Sequence, residues 1–166
     1  MLKTNYHVAI LTASDKGSVG ERKDESGPLI KKMMENAGYT VAATALLSDD
    51  EIGLSSQMKL WAESGAIDLI LTTGGTGFSA RDHMPEATLS IATRMAPGIS
   101  EAIRSNSLAI TPHAMLSRAT SVICRNTLIV NMPGSPKAVK ESLEYILPAL
   151  GHGLEILTGN GGECAR

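Results

Sequence analysis

Compact apolar runs recur along this chain, and each gives way to a short polar segment and then to a helical pattern. His7 to Ala13, Thr40 to Leu47 and Ile67 to Thr72 have the length and apolar content of buried strands. Ser26 with Pro28 offers a helix start, Leu29, Ile30, Met33 and Met34 supply an apolar face, and Gly38 closes the segment. Asp49 or Asp50 can cap a second helix carrying Ile52, Leu54, Met58 and Trp61, which Gly65 ends. Strands separated by helices within about seventy residues require crossover connections, hence a largely parallel sheet with helices on its faces. Further along, Pro85 to Met95 and Pro97 to Ser107 read as two helices, each with a proline near its start. Ser121 to Cys124 and Thr127 to Asn131 read as a hairpin across Arg125-Asn126, and Ser135 to Leu157 as a helical tail that Pro148 breaks or restarts. The expected class is α/β. With 166 residues, no internal repeat and no low-complexity linker, residues 1–166 are expected to form a single domain.

Composition removes several classes of function. Aromatic residues make up only 3% of the chain and the formal net charge is -2, so neither a base-stacking surface nor a basic face for a nucleic-acid backbone is expected. Any phosphate must be held locally. Cys124 and Cys164 are far apart and form no Cys-x-x-Cys pair, which argues against a disulfide framework and a zinc site and fits a reducing compartment. The start, Met1 to Tyr6, lacks the ordered parts of a signal peptide, and no apolar stretch reaches the ~20 residues that span a bilayer. A soluble, cytoplasmic protein without membrane partners is expected.

In open α/β sheets ligands bind beyond the carboxyl ends of the strands. Here Ser14-Asp15, Asp49-Asp50, Thr73 to Asp82 and Asn131 to Lys137 all follow strand patterns. The most informative run is Thr72-Thr73-Gly74-Gly75-Thr76-Gly77-Phe78-Ser79-Ala80-Arg81-Asp82, whose glycines let backbone N–H groups approach anionic oxygens. It has neither the dinucleotide-binding spacing nor a Walker lysine, and by itself it is equally a turn that ends a strand. Asp82 can be a helix cap or, with Asp49 at the same sheet edge, a ligand for a Mg²⁺ that bridges nucleotide phosphates. Asn131-Met132-Pro133-Gly134-Ser135-Pro136-Lys137 opens a helix and is either a rigid connector or an anion site. On internal grounds Ser117-Arg118 reads as solvated surface. His7, His83, His113 and His152 show no metal spacing and are read as structural, and the methionines as core filler.

Taken together, three motifs in this order resemble the MogA/MoaB family and the G domains of molybdenum cofactor proteins such as gephyrin. They are Thr72 to Gly77 running on to Arg81-Asp82 and Pro85-Glu86-Ala87, then Ile110-Thr111-Pro112 with Ala114 to Arg118, then Asn131 to Pro136. The resemblance spans nearly the whole chain. It implies a three-layer sandwich with a mixed, mostly parallel sheet flanked by helices, a homotrimer, and molybdopterin adenylyltransferase activity with ATP and molybdopterin as substrates and Mg²⁺ as cofactor. The family's two important aspartates fall on Asp49 and Asp82, as catalytic groups and Mg²⁺ ligands. Ser117, beside Arg118, matches a serine near the pterin. Thr73, Gly74, Gly75, Thr76 and Gly77, with Pro133, Gly134, Ser135 and Pro136, match nucleotide and phosphate contacts, and Ser14, Asp24 and Gly27 match a further stretch of the pocket. Ser48 and Met84 depart from common family residues without removing a catalytic group. The resemblance also admits a catalytically silent molybdopterin-binding member and a trimeric scaffold, and it implies a downstream molybdenum-insertion partner for an active enzyme.

Overall fold

The computed structural model describes residues 5–160; Cys164 and the polar start Met1 to Thr4 lie outside the described residues. In chain order the elements are β1 (His7–Ala13), α1 (Asp15–Ser18), α2 (Ser26–Asn36), β2 (Thr40–Leu47), α3 (Glu51–Glu63), β3 (Leu69–Thr73), α4 (Met84–Ser90), β4 (Arg94–Met95), α5 (Pro97–Leu108), a 3₁₀ turn (Pro112–Leu116), β5 (Ser121–Cys124), β6 (Thr127–Met132) and α6 (Pro136–Leu157). The strands form one sheet in the order β2-β1-β3-β6-β5-β4. Pairings β2 to β1, β1 to β3 and β3 to β6 are parallel, whereas β6 to β5 and β5 to β4 are antiparallel.

Strand position follows from side-chain content. The interior strands β3 and β6 are buried at every residue, as continuous apolar runs in a sheet covered on both faces should be. Strand β2 alternates between exposed and half-buried residues and lies at the edge. Alternation along the central strands divides the core in two. Val8, Ile10, Leu69, Leu71, Leu128, Val130 and Met132 meet Ile30 and Met34 of α2, Ile103 of α5, and Val139, Leu143, Ile146, Leu150 and Leu154 of α6. Ala9, Leu11, Ile70, Val122 and Ile129 face Leu54, Met58 and Ala62 of α3 and Met84 and Ala87 of α4. The result is the expected three-layer sandwich.

Three expectations are corrected. The helix expected over Pro85 to Met95 stops at Ser90, because Thr93 and Ala96 donate their N–H groups to the carbonyls of Ile123 and Ser121 and draw Arg94–Met95 into the sheet edge. Pro148 neither breaks nor restarts α6: it sits on the solvent face while Leu143, Ile146, Leu150 and Leu154 keep the helix seated on the sheet. Ser26 does not cap α2. It is the first residue of that helix, its hydroxyl donates to the Gly134 carbonyl at 2.8 Å, and the Asp24 carboxylate accepts the Gly27 N–H at 3.0 Å instead.

Asn131, buried in β6, fastens three segments behind the strand ends. Its amide nitrogen donates to the hydroxyls of Thr72 and Thr88 at 3.0 and 2.9 Å, and its oxygen accepts the Thr120 N–H at 3.2 Å. The residue is therefore a structural joint beneath the polar segment it opens. Asn131→Leu strands these partners in the core and should cost about 2–4 kcal/mol. Urea unfolding should show a lower midpoint at an unchanged slope; a wild-type midpoint would show the network to be dispensable.

Candidate active site

The cavity lies where the sheet's connections change direction, between the carboxyl ends of β1 and β3. It measures about 490 Å³, within the range of small-molecule sites. It is lined by Thr12 to Ser14 at the end of β1 and Thr73 to Gly75 at the end of β3. Its walls come from Arg22 to Ser26, Asp49, Asp82 and Gly134 to Pro136. Two glycines make the crevice possible. Gly74 has φ +89°, and a Cβ there would stand 2.3 Å from the Ala13 carbonyl oxygen. Gly75 has φ +68°, and a Cβ there would come within 3.0 Å of Asp49 Oδ1.

Both aspartates are released from capping. Asp50 accepts the Gly53 N–H at 2.7 Å and caps α3, so Asp49 is free to turn inward. Asp49 Oδ2 accepts the Asp15 N–H at 3.0 Å, and the Asp49 N–H donates to Asp15 Oδ1 at 2.9 Å. Helix α4 has His83 at its cap position without a side-chain bond, and Asp82 Oδ2 accepts the Ser79 N–H at 2.9 Å within the loop. Burial pushes the Asp49 carboxyl above its ordinary pKa, and the nearby Asp15 and Asp82 charges push the same way, against the Asp15 N–H bond. Among the described residues no group of three or more His, Cys, Asp or Glu side chains could hold a metal. Asp49 and Asp82, whose charges act on one another across the cavity, would offer two of the oxygen donors that a Mg²⁺ needs.

Of the residues singled out from sequence, Ser14, Asp24, Asp49, Thr73, Gly74, Gly75, Asp82, Gly134, Ser135 and Pro136 line this cavity. Thr76, Gly77, Pro133, Ser117 and Arg118 do not, and Gly27 lines a neighbouring groove of about 410 Å³ between α2 and β2 that shares Thr12 and Asp24. Pro133 contributes its carbonyl to the Thr73 hydroxyl at 2.6 Å. Arg118 is no solvated surface residue. It donates Nε to the Gly77 carbonyl and Nη2 to the Asp82 carbonyl, both at 2.7 Å, and pairs with Glu86, whose carboxyl it holds below its ordinary pKa. It braces the glycine-rich loop, while the carbonyl of neighbouring Ser117 accepts from Arg104 and its hydroxyl oxygen from the Ala119 N–H.

Sequence reading missed the cavity's cations, Arg22 and Lys23, although their place directly before Asp24 in a polar segment was a usable signal. It also missed the pair between Arg81 and Asp15. Arg81 donates Nε and Nη2 to the two Asp15 oxygens at 3.0 and 2.9 Å, and this guanidinium holds the Asp15 carboxyl down at about 2. A depressed carboxyl pKa supplies stability above the unfolded value of 3.8, and that stability disappears as pH falls through about 2. Arg81→Gln should therefore melt slightly below wild type at pH 7, the pair being exposed, by a small margin that closes between pH 4 and pH 2. A margin in thermal melts that persists undiminished at pH 2 would show that the pair is not its source.

Comparison with known proteins gives the family and the fold. The family described as "Probable molybdopterin binding domain" matches residues 9–152. The molybdopterin adenylyltransferase of Helicobacter pylori strain J99 is 34% identical, over 93% of this chain and 89% of that protein. The molybdopterin adenylyltransferase of Escherichia coli K12 is 36% identical over 87% of this chain and 75% of that protein. A crystal structure of the molybdopterin biosynthesis enzyme MoaB from Thermus thermophilus superposes with a TM-score of 0.88 at 44% identity, covering 93% of this chain and 97% of that one.

Proposed function

This chain belongs to the molybdopterin-binding domain family, and on that premise we propose that it transfers AMP from ATP to the terminal phosphate of molybdopterin, a late step in molybdenum cofactor biosynthesis. An oxygen of the molybdopterin phosphate attacks the α-phosphorus of ATP, the bond from that phosphorus to the β-phosphate bridging oxygen breaks, and pyrophosphate leaves. The observation that carries this reading is the meeting of Asp49 and Asp82 beside Gly74 and Gly75 in one cavity. Such a transfer needs no protein nucleophile, only in-line placement and stabilisation of phosphate charge.

The residues divide that work. Asp49 and Asp82 would hold a Mg²⁺, which supplies charge neutralisation on the transferring phosphates. Arg22 and Lys23 add positive charge at the cavity wall. Of the lining hydroxyls, those of Thr12, Thr73 and Ser26 donate to Asp24, Pro133 and Gly134. Ser14 and Ser135 accept the N–H groups of Gly17 and Ala138, which leaves their O–H groups to donate to phosphate. Ser117 does not line this cavity, and its assignment to the pterin rests on the family resemblance alone.

The working unit we propose is a homotrimer. Phe78 at 70% exposure, Ile110 at 53% and Met115 at 62% leave apolar surface on the glycine-rich loop and the segment before Arg118, which subunit contact would cover. Sedimentation should give three times the 17.4 kDa chain mass, and a Met115→Glu variant should shift toward monomer; a monomer at micromolar wild-type protein would refute the assembly. Among the described residues no helix is long and apolar enough to cross a membrane. A cytoplasmic location suits a reaction that consumes ATP, and the adenylylated product would pass to a molybdenum-insertion protein.

Asp82→Asn keeps the loop turn, because an amide oxygen can still accept the Ser79 N–H, but halves the charge offered to the cation. Pyrophosphate release from molybdopterin and Mg·ATP should fall by about 10² or more while the melting temperature stays near wild type. Turnover retained in that variant rejects the assignment of Asp82, and a wild-type protein that binds molybdopterin without releasing pyrophosphate is a silent binder instead.

A further inference from the structure

Asp15 joins the ends of three strands. It follows β1, exchanges N–H to carboxylate bonds with Asp49 after β2, and takes a two-pronged bond from Arg81 on the loop after β3. We infer that Arg81, acting through Asp15, is a positioning residue that holds the Asp49 carboxylate turned toward Asp82.

Stability accounts for only a small part of what the pair does. Arg81 and Asp15 have side chains 57% and 43% exposed, and exposed ion pairs contribute little to folding. What the pair does fix is direction. Each Asp15 oxygen takes one guanidinium N–H, and Oδ1 also accepts the Asp49 N–H, so the Asp15 carboxylate cannot rotate. The Asp15 N–H in turn occupies Asp49 Oδ2 and leaves Oδ1 against Gly75. Arg81 also immediately precedes Asp82 in the chain, so the same anchor restrains the loop that carries the second carboxylate. Without Arg81, three neighbouring carboxylates would repel one another, and Asp49 could relax toward solvent. Arg81 does not line the cavity, and Asp15 takes two of its three guanidinium nitrogens.

This inference rests on the reading of Asp49 and Asp82 as a cation site. The test compares wild type with Arg81→Gln, Arg81→Lys, Asp15→Asn, the Asp15→Asn/Arg81→Gln double variant and Asp82→Asn. Electron paramagnetic resonance measures Mn²⁺ binding in the presence of ATP alone, where no turnover occurs. Mg²⁺ titrations with ATP and molybdopterin then separate kcat from the half-saturating metal concentration. Loss of an outer partner of a metal ligand weakens metal binding by about 10–100-fold. Arg81→Gln should fall in that range in both assays, with kcat recovered at high Mg²⁺. Arg81→Lys, which keeps the charge but loses the fork, should lie between. The double variant should be no weaker than the weaker single variant, because both changes cut one connection. Wild-type Mn²⁺ affinity in Arg81→Gln, with affinity lost in Asp82→Asn, overturns the positioning role alone, as do fully additive losses in the double variant. Mn²⁺ affinity unchanged in Asp82→Asn instead removes the two-carboxylate site itself, and the positioning role falls with it.

Discussion

The approach of Gly74 to the Ala13 carbonyl is the contact on which the rest of the site depends. Strands β1 and β3 run side by side, and the chain leaving β3 must turn across the end of β1 without lifting away. A residue with a Cβ could do this neither sterically, at 2.3 Å from that oxygen, nor conformationally, at φ +89°. The turn lowers the following loop into the crevice, where Gly75 leaves room for Asp49 and Gly77 for Asp82. Asn131 and the Thr73 hydroxyl then tie the floor to β6 and to Pro133. The cavity is thus a consequence of parallel strand pairing plus one permitted close contact.

Charge is arranged just as sparingly. Four acids, Asp24, Glu25, Asp49 and Asp82, line the cavity beside two basic residues. Asp24 is not available to a ligand in the way the others are, because one oxygen holds the Thr12 hydroxyl at 2.7 Å and the other the Gly27 N–H. A Cβ on Gly27 would stand 2.4 Å from that same carboxylate, which explains why glycine follows Ser26 although it does not line the main cavity. The two arginines nearest the glycine-rich loop are likewise committed inward, Arg81 to Asp15 and Arg118 to Glu86 and two carbonyls. What remains for a ligand is three carboxylates, those of Glu25, Asp49 and Asp82, with two basic side chains and a few hydroxyls, the set that the proposed metal-bound polyphosphate would meet.

Most of the layer architecture was legible in sequence because it is written in local apolar pattern. Strands β1 and β2 fall on the ranges expected of them, and the hairpin between β5 and β6 turns at Arg125, which has φ 55°. The misreadings arise where a distant partner decides the outcome. Arg94–Met95 has helical surroundings and becomes a strand only because β5 offers an open edge. Arg118 looks like surface until its bonds to residues 41, 36 and 32 positions away are seen. The Arg81 to Asp15 bond crosses 66 positions and leaves no trace in spacing. The convergence of Asp49 and Asp82 was legible because each follows a strand of one parallel set, a rule of topology rather than of pattern.

A finer regularity explains why acids occur here in neighbouring positions. A helix that begins at the mouth of a site needs a cap, and the residue types that cap best are those that bind cations and phosphates. One residue cannot fully serve both ends. After β2 the two tasks are split between Asp50, which caps α3, and Asp49, which faces the cavity. Before α4 the cap position passes to His83 without a side-chain bond, and Asp82 bonds within its own loop, so that helix starts uncapped next to the cavity. Before α2 the serine that would cap is turned to Gly134 and Asp24 takes its place, which joins the β1 loop to the segment that opens α6. At α3 and α4 the helix start is arranged around a carboxylate that lines the cavity, and the ambiguity between cap and lining residue is resolved by a neighbour that caps or by a cap left unmade; at α2 Asp24 itself makes the cap-like bond.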